Sequence, residues 1–573
     1  MALRERGEIT GRERLFATHG QTWAAAAALF LIAWFAGGYQ VFQDNQALQL
    51  PLVERLVDPS LFPHDPFVAT LTGYSAPLWW AVAALSRLVS LPALLVTLFA
   101  LEKLCLLLAG AALAGALRPQ SRLAPWAGAV VVALGVPALL GSEGKITASY
   151  FEQTAAAVPF FLWSFAAMVR GERWKWALFC ALGSTLNPMY GAYALTYSAA
   201  AVLVVYRRES YRWLAPLLLS VALAAPTFIF AAHSHASVAA DPALWLAAVK
   251  ARFPHHLLPL TWDWTGYFSF ALLALLLTLL ARHRPEPEQR SSDRFILAST
   301  GCSIGWLALA FVAAYSFPLP GLLVMHPARA TDLWYGIGAI FLVAELAYRA
   351  ETASPPRQPI LVMALLAALL LFHFAAFPKL YLASSALLLL ALRPPQWPRF
   401  GRPLAPPRLA LLLIGAALIF TAGWTLARTA AGQGLGLYGF GAPPGELEVA
   451  HWARTHTRED ALFAVPTRMD MFRPIAERGV IATWKDGSAL LWDKQYVAEW
   501  VRRMHALGRP TVPQAARIWP IARREYPDGW SDAELKALCN EFGAGFCVLP
   551  IAHQTSLPEI FRGRFGFKVV KVS

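Results

Sequence analysis

The chain has 573 residues, 57% of them hydrophobic and only 15% charged, with a mean hydropathy of +0.46. That balance excludes a soluble globular protein and marks a polytopic membrane protein. The net charge of +14 does not point to nucleic acid, because the basic residues lie mainly in short loops between apolar runs, where they set orientation.

The leader, residues 1–20, carries four arginines and is expected in the cytoplasm. It precedes QTWAAAAALFLIAWFAGG, a run long enough to span. Ala36, Gly37 and Gly38 resemble a cleavage site, but the length of the run and of the leader favours an uncleaved first helix. The first external loop, 40–73, places Asp44, Glu54, Asp58 and Asp65 between two apolar segments. Its LPLVERLV stretch has helical spacing and is read as a short amphipathic helix along the bilayer surface, with Glu54 and Arg55 facing up. Asp58 and Asp65 precede prolines, where acids cap turns.

Apolar segments at 74–91, 92–117, 124–140 and 155–169 lead to RGERWK, expected in the cytoplasm. With the first helix these make five crossings, whereas two cytoplasmic ends require an even number. Either 74–91 fails to cross, or Glu102 and Lys103 break the next segment. Adjacent on a helix, those two side chains point about 100° apart, and no ion pair is expected. Residues 177–205 are too long for one span, and Asn187, Pro188 and Gly191 mark a tight outside turn between two short helices. Segments at 213–232, 266–281, 295–315, 333–347, 360–377, 380–392 and 409–427 then alternate across the membrane, giving a polytopic α-helical protein of about 13 crossings.

The transmembrane domain thus covers 21–427, with a linker over 428–445 and a small extracytoplasmic α/β domain over 446–573. In that last part ALFAVP, GVIATWK, GFCVLPI and FKVVKV are strand-length, and LLWDKQYVAEWVRRMHALG and SDAELKALCNEF are amphipathic. Cys539 and Cys547 could pair in an oxidising compartment, though their spacing supports this only weakly.

On this topology the outer face collects Asp44, Glu54, Glu143, Lys145, Glu152, Asn187, His233, His235, His255, His256, His326, Arg329 and Asp332. Chemistry on a lipid-linked substrate needs an acid or base at the interface and a cation for the phosphate. Asp44 is the candidate base, with Glu152 and Glu143 as candidate second carboxylates. Arg329 suits a lipid phosphate, with His326 beside it. Lys145, Glu54 and Asn187 complete the candidate substrate-binding set. The histidine pairs have no cysteine or close carboxylate to complete a ligand set, so no metal site is assigned. TRMDMFRPIAER presents Arg468, Asp470, Arg473 and Arg478, read as solvated charge, with an acceptor groove as the alternative.

The organisation resembles the GT-C superfamily of membrane glycosyltransferases, which includes protein O-mannosyltransferases, aminoarabinose transferases and oligosaccharyltransferase catalytic subunits. The likeness rests on one helix after a cytoplasmic amino end, an external loop with an acid directly behind that helix (QDNQ), the RGERW turn, LGSTLNPMYG and an external carboxyl domain. It implies a GT-C-like fold in a bacterial inner membrane and an inverting transfer from a polyprenyl-phosphate sugar to an extracytoplasmic glycan, lipid or protein. Asp44 takes the place of the first-loop acid, and Glu152 or Glu143 that of a second. The sequence departs from the common pattern in having DN where many members show DE or DD, and Asn187 before the proline where related proteins often have His or Lys. No cofactor is assigned, and a divalent cation stays open. The alternatives are a lipid or glycan transporter built on Glu102, Lys103, Glu345 and His373, and a non-catalytic scaffold of cell-envelope polysaccharide assembly.

Overall fold

In lipid a chain must satisfy its own backbone, so apolar runs close as helices. They do so in the computed structural model, which describes residues 18–74, 77–135, 140, 147–282, 290–353, 358–373, 404–430, 436–512 and 524–572. Helix α1 (His19–Gly37) is capped by Thr18. The loop behind it folds as α2 (Gln46–Val57) and α3 (Pro66–Thr70). Then come α4 (Pro77–Ser86), α5 (Leu91–Leu117), α6 (Ala124–Leu134) and α7 (Gln153–Val169). Helices α8 (Arg173–Leu186), α9 (Pro188–Ala201) and α10 (Leu214–His235) follow. Beyond two short helices, α11 (Pro242–Arg252) and α12 (Pro254–Leu257), the apolar series resumes with α13 (Trp264–Arg282) and α14 (Arg290–Phe311). It ends with α15 (Pro320–Val324), α16 (Ala330–Thr352), α17 (Gln358–His373) and α18 (Pro406–Ala430).

Among the described residues seven stretches are long and apolar enough to cross a membrane. A count of about 13 also draws on shorter apolar helices and on 380–392, which lies outside the described residues. The described helices bear on the odd count at the start. Helix α5 runs unbroken through Glu102 and Lys103 for 27 residues, roughly 40 Å. By contrast α4 has 10 residues, about 15 Å against a hydrocarbon core of about 30 Å. So the break at Glu102 and Lys103 does not form, while α4, like the 11-residue α6, is shorter than that core is thick. Lys103 and Glu102 do form an ion pair, at 3.0 Å, contrary to the expectation from their 100° offset. The lysine stem is long enough to fold back, and its ammonium also donates to the Ala148 carbonyl at 2.8 Å.

The break at Asn187 forms as its chemistry predicts, because the Asn187 carboxamide accepts from Tyr190 N at 3.1 Å and Pro188 opens α9. Helix α16 is the centre of the bundle, buried without interruption from Ala330 to Ala347. Where α5 meets α6, glycine is needed: a Cβ on Gly128 would stand 2.4 Å from the Ala114 methyl, the close backbone approach that small residues allow in membranes. At one end of the bundle Arg118 is fully buried, donating to Glu345 at 2.6 Å and to Asp293 at 3.1 Å. The starts of α7, α9 and α16 lie at the other end, where the cavity described below forms.

Strand β1 (Gln40–Val41) pairs in parallel with β2 (Gly439–Phe440), tying the first loop to the linker that enters the carboxyl domain. That domain contains α19 (Pro444–His456), β3 (Leu462–Ala464), α20 (Phe472–Ala476), β4 (Gly479–Val480), α21 (Val497–Ala506), α22 (Asp532–Phe542), β5 (Phe546–Pro550), β6 (Glu559–Arg562) and β7 (Phe567–Lys571). Its sheet has the order β4-β3-β5-β7-β6, parallel across the first three strands and antiparallel across the rest. The four anticipated strands are present; β6 was not anticipated, since its short run is bounded by the paired charges Glu559 and Arg562. Of LLWDKQYVAEWVRRMHALG only Val497–Ala506 is α-helical, because Asp493 accepts from Gln495 N and starts a separate turn. Ser531 and Glu534 form a capping box that opens α22 as the sequence suggests.

Three expectations are corrected here. Helix α2 does not lie on a surface, for all residues from Gln46 to Val53 are buried, enclosed between α4 and the carboxyl domain. Glu54, just beyond that stretch, is half-buried beside Glu477 and Arg454, and burial pushes its carboxyl well above the ordinary range. Arg473 and Arg478 are not solvated charges. Arg473 is 1% exposed and paired with Asp65 and Asp486, while Arg478 donates to the Arg454 and Thr457 carbonyls at the end of α19.

The Cys539 and Cys547 thiols are buried with their sulfurs 3.3 Å apart. Mild copper-catalysed oxidation of the intact protein is expected to remove two of the five thiols without joining chains. Thiol counting in denaturant checks this; five remaining thiols would contradict it.

Candidate functional site

Eight pieces of chain meet around one cavity of about 690 Å³. They are the start of α2, Tyr74, the starts of α7 and α9, the end of α10, the α11–α12 corner, residues 321–329, and residues 484–494 of the carboxyl domain.

Asp44 stands at the head of α2 with φ +47°, and Phe42 has φ +57°. Such left-handed geometry is unfavourable for non-glycine residues and recurs at functional sites. One Asp44 oxygen accepts from the Tyr150 hydroxyl at 3.2 Å, and the other pairs with the Lys485 ammonium. Glu152 ends the segment before α7 and accepts from Asn45 Nδ2 at 3.1 Å. The Tyr150 hydroxyl also lies 3.4 Å from Glu152 Oε2, so it bridges the two carboxylates. Burial raises the Glu152 carboxyl above its ordinary value, against the lowering effect of Asn45.

The cationic part comes from other elements. Arg329 rests over the Tyr190 ring at 5.6 Å, and the Tyr190 hydroxyl donates to Asp332 at 2.9 Å, which fixes that ring. His326, three residues earlier, adopts φ +45° and ψ 65°. Arg252, His255 and His256 line the cavity from the α11–α12 corner. Asn187 lines it too, donating to Thr154 at 3.1 Å and so joining the starts of α7 and α9.

Of the sequence candidates, Asp44, Glu152, Asn187, His326 and Arg329 meet in this cavity. Glu54 does not, and Glu143 and Lys145 lie outside the described residues. Sequence reasoning missed Lys485, Lys494, Arg252 and Tyr150. Lys485 is 441 positions from Asp44, beyond the reach of any spacing argument. Tyr150 was within reach, two residues before Glu152 and the one phenol in the stretch. Among the described residues no three His, Cys, Asp or Glu side chains converge as metal ligands.

A smaller cleft of about 160 Å³ lies beside the first and shares Asp44 and Lys485 with it. Phe42, Gln43, Glu446, Arg468 and Asp470 form its walls. The large cavity has an apolar flank made by Met189, Phe228, Ala231 and Ala232. On the same helix as the last three, Leu218 and Ile229 are 60% and 67% exposed, as on a lipid-facing surface.

Residues 444–507 match a family described as a domain of unknown function, DUF6798. No curated protein matches the chain. Among solved structures, the chain is similar to ArnT from Cupriavidus metallidurans in the apo state, at 13% identity and a TM-score of 0.44, over 97% of this chain and 99% of that one. The same protein bound to undecaprenyl phosphate gives 13% identity and a TM-score of 0.42 over the same shares. The arabinofuranosyltransferase AftD from Mycobacteria gives 15% identity and a TM-score of 0.47, over 98% of this chain but 40% of that one. Likeness at this level is a general resemblance of form, and the cavity's own chemistry must carry the functional conclusion.

Proposed function

We propose that the protein is a membrane glycosyltransferase that moves a sugar from a polyprenyl-phosphate carrier to an extracytoplasmic acceptor. The observation that carries this reading is the sorting of charge in the large cavity. Two carboxylates, Asp44 and Glu152, are joined through Tyr150, while Arg252, Arg329, Lys485 and Lys494 bring an excess of positive charge, before any histidine is counted. Such an excess suits a phosphate, and the apolar flank beside α10 suits a prenyl chain coming from lipid.

In this reading Arg329 holds the phosphate and Asp44 accepts the proton of the acceptor hydroxyl. The hydroxyl oxygen bonds to the anomeric carbon, the bond from that carbon to the phosphate oxygen breaks, and the electron pair leaves with the phosphate. An inverting displacement needs nucleophile and leaving group on opposite faces of the carbon. Asp44 borders both cavity and cleft, so the cleft is the acceptor's approach. Glu152, biased by burial toward its protonated form, supports Asp44 through Tyr150.

The transporter alternative loses Glu102, Lys103 and Glu345 to structural pairings, and the His373 side chain lies outside the described residues. Glu102 is held by Lys103, and Glu345 by Arg118 and Arg349. None of these lines the cavity.

Incubating the purified protein with labelled polyprenyl-phosphate sugars is expected to release the lipid phosphate. If none of a broad donor set is cleaved or bound, the transferase reading falls. Lys485 is a positioning residue, and Lys485→Met is expected to lower kcat by on the order of 10²-fold, as misplacement of a catalytic group does, with the KM for donor little changed. An equal loss in KM alone would assign Lys485 to donor binding instead.

A further inference from the structure

Three imidazoles crowd one part of the cavity. The rings of His255 and His256 lie 4.0 Å apart between centroids, and those of His256 and His326 lie 4.9 Å apart. Phe253 packs against His256 and His326 at 6.1 and 5.6 Å. His326 is 2% exposed, yet neither of its ring nitrogens has a hydrogen-bond partner, and Nδ1 of His256 also has none. Buried polar atoms left so, on a residue held in a left-handed backbone, are unusual and call for a partner that the folded chain alone does not supply.

The charge around the stack says what that partner is. Arg252 faces it from α11, Arg329 from the turn after His326, and His235 from the end of α10. Lys485, Lys494, Asp44 and Glu152 line the remainder of the same cavity. Burial first, and then His326, Arg329, His255 and Arg252, push His256 well below its ordinary value. His256 and His326 are therefore biased toward their neutral forms until an anion arrives.

We propose that His255, His256 and His326, with Arg329 and Arg252, form a subsite for the departing phosphate that takes up a proton as the phosphate gains its second charge. This rests on the transferase reading and deepens it. The donor is a phosphodiester with one negative charge. When the bond to the anomeric carbon breaks, the carrier becomes a monoester that carries two near neutral pH, its second pKa being about 6. The acceptor hydroxyl gives up one proton to Asp44 in the same step. Asp44 then gives that proton up, and one proton gained by the imidazole stack offsets the second phosphate charge, which lies against rings that lack only a counter-charge to hold the proton. The proton returns to solvent when the carrier leaves, so product release quickens as pH rises.

Isothermal titration of the full chain in lipid nanodiscs with farnesyl phosphate, in buffers of differing ionisation enthalpy at pH 7.5, tests this. Close to one proton is expected to be taken up per ligand bound, with Kd weakening about tenfold per pH unit above neutrality. The His256→Gln, His326→Gln double variant is expected to bind through Arg329 without that uptake. The farnesyl methyl phosphate diester, which does not titrate in this range, is expected to bind wild type with less uptake. Tight binding of farnesyl phosphate to wild type without proton uptake would overturn the proposal and leave the transferase reading standing. Uptake unchanged in the double variant would assign the proton to the ligand and overturn it as well. No binding at all would remove both readings together.

Discussion

Asp44→Asn is expected to abolish sugar transfer, lowering kcat by about 10²- to 10⁴-fold, the range that a positioned general base contributes. The substitution keeps the shape of the side chain and its capacity to accept from the Tyr150 hydroxyl, 3.2 Å away. What it removes is the basic oxygen and the charge facing Lys485. The Asp44 side chain is 53% exposed, so loss of this ion pair has little effect on folding. Expression and thermal midpoint should therefore match wild type, and farnesyl phosphate should still bind, because the cationic residues are untouched. Release of lipid phosphate from a labelled donor is the measurement. Wild-type turnover in this variant would show that Asp44 is not the base, and would pass that role to Glu152 or end the mechanism.

Much of this arrangement can be read in the chain, and the boundary between what can and cannot is physical. Helices are written locally: the length of the 91–117 run, the Asn187-Pro188 break and the Ser531 cap each act within a few residues, and each forms where its chemistry puts it. The charges of the site could be nominated for a related reason. A carboxylate, a histidine or an arginine next to an apolar run needs something to do there, and Asp44, Glu152, His326 and Arg329 do meet in one cavity. Long-range partners left no such trace. Nothing in TWKDG says that its lysine will pair with Asp44, or that its aspartate will hold Arg473. For the same reason α2 looked like a surface helix. Its amphipathic pattern shows one polar side, and only the fold shows that the carboxyl domain covers that side and half-buries Glu54 beside Glu477.

Arg473→Met is expected to loosen the carboxyl domain from the membrane domain, at a cost of about 3–5 kcal/mol, the range for removing one partner of a buried ion pair. Arg473 donates to Asp65 of the first loop at 2.7 Å and to both oxygens of Asp486 at 2.9 and 2.8 Å, with Phe67 under the guanidinium at 4.6 Å. Asp65 has further duties, capping α3 and accepting from Val480 N at 3.1 Å. Without the arginine two buried carboxylates face each other unneutralised. Methionine fills the volume but not the charge. The defect should grow with pH: burial already raises Asp486, and Arg473 is the main influence that lowers it. Its removal lifts the folded-state value further above the unfolded one. A carboxyl raised in the folded state contributes stability while protonated and loses it as pH climbs through the raised value, so the variant should lie nearer wild type at pH 5 than at pH 8. Thermal unfolding at the two pH values, with protease release of the carboxyl domain, measures this. Equal stability at both pH values would show that the triad does not hold the domains together. Transfer should fall along with stability, because Lys485 directly precedes Asp486 and reaches Asp44 only while Asp486 is held; donor-independent binding of farnesyl phosphate at Arg329 should survive. A latch remote from the cavity would then control chemistry through the position of a single lysine.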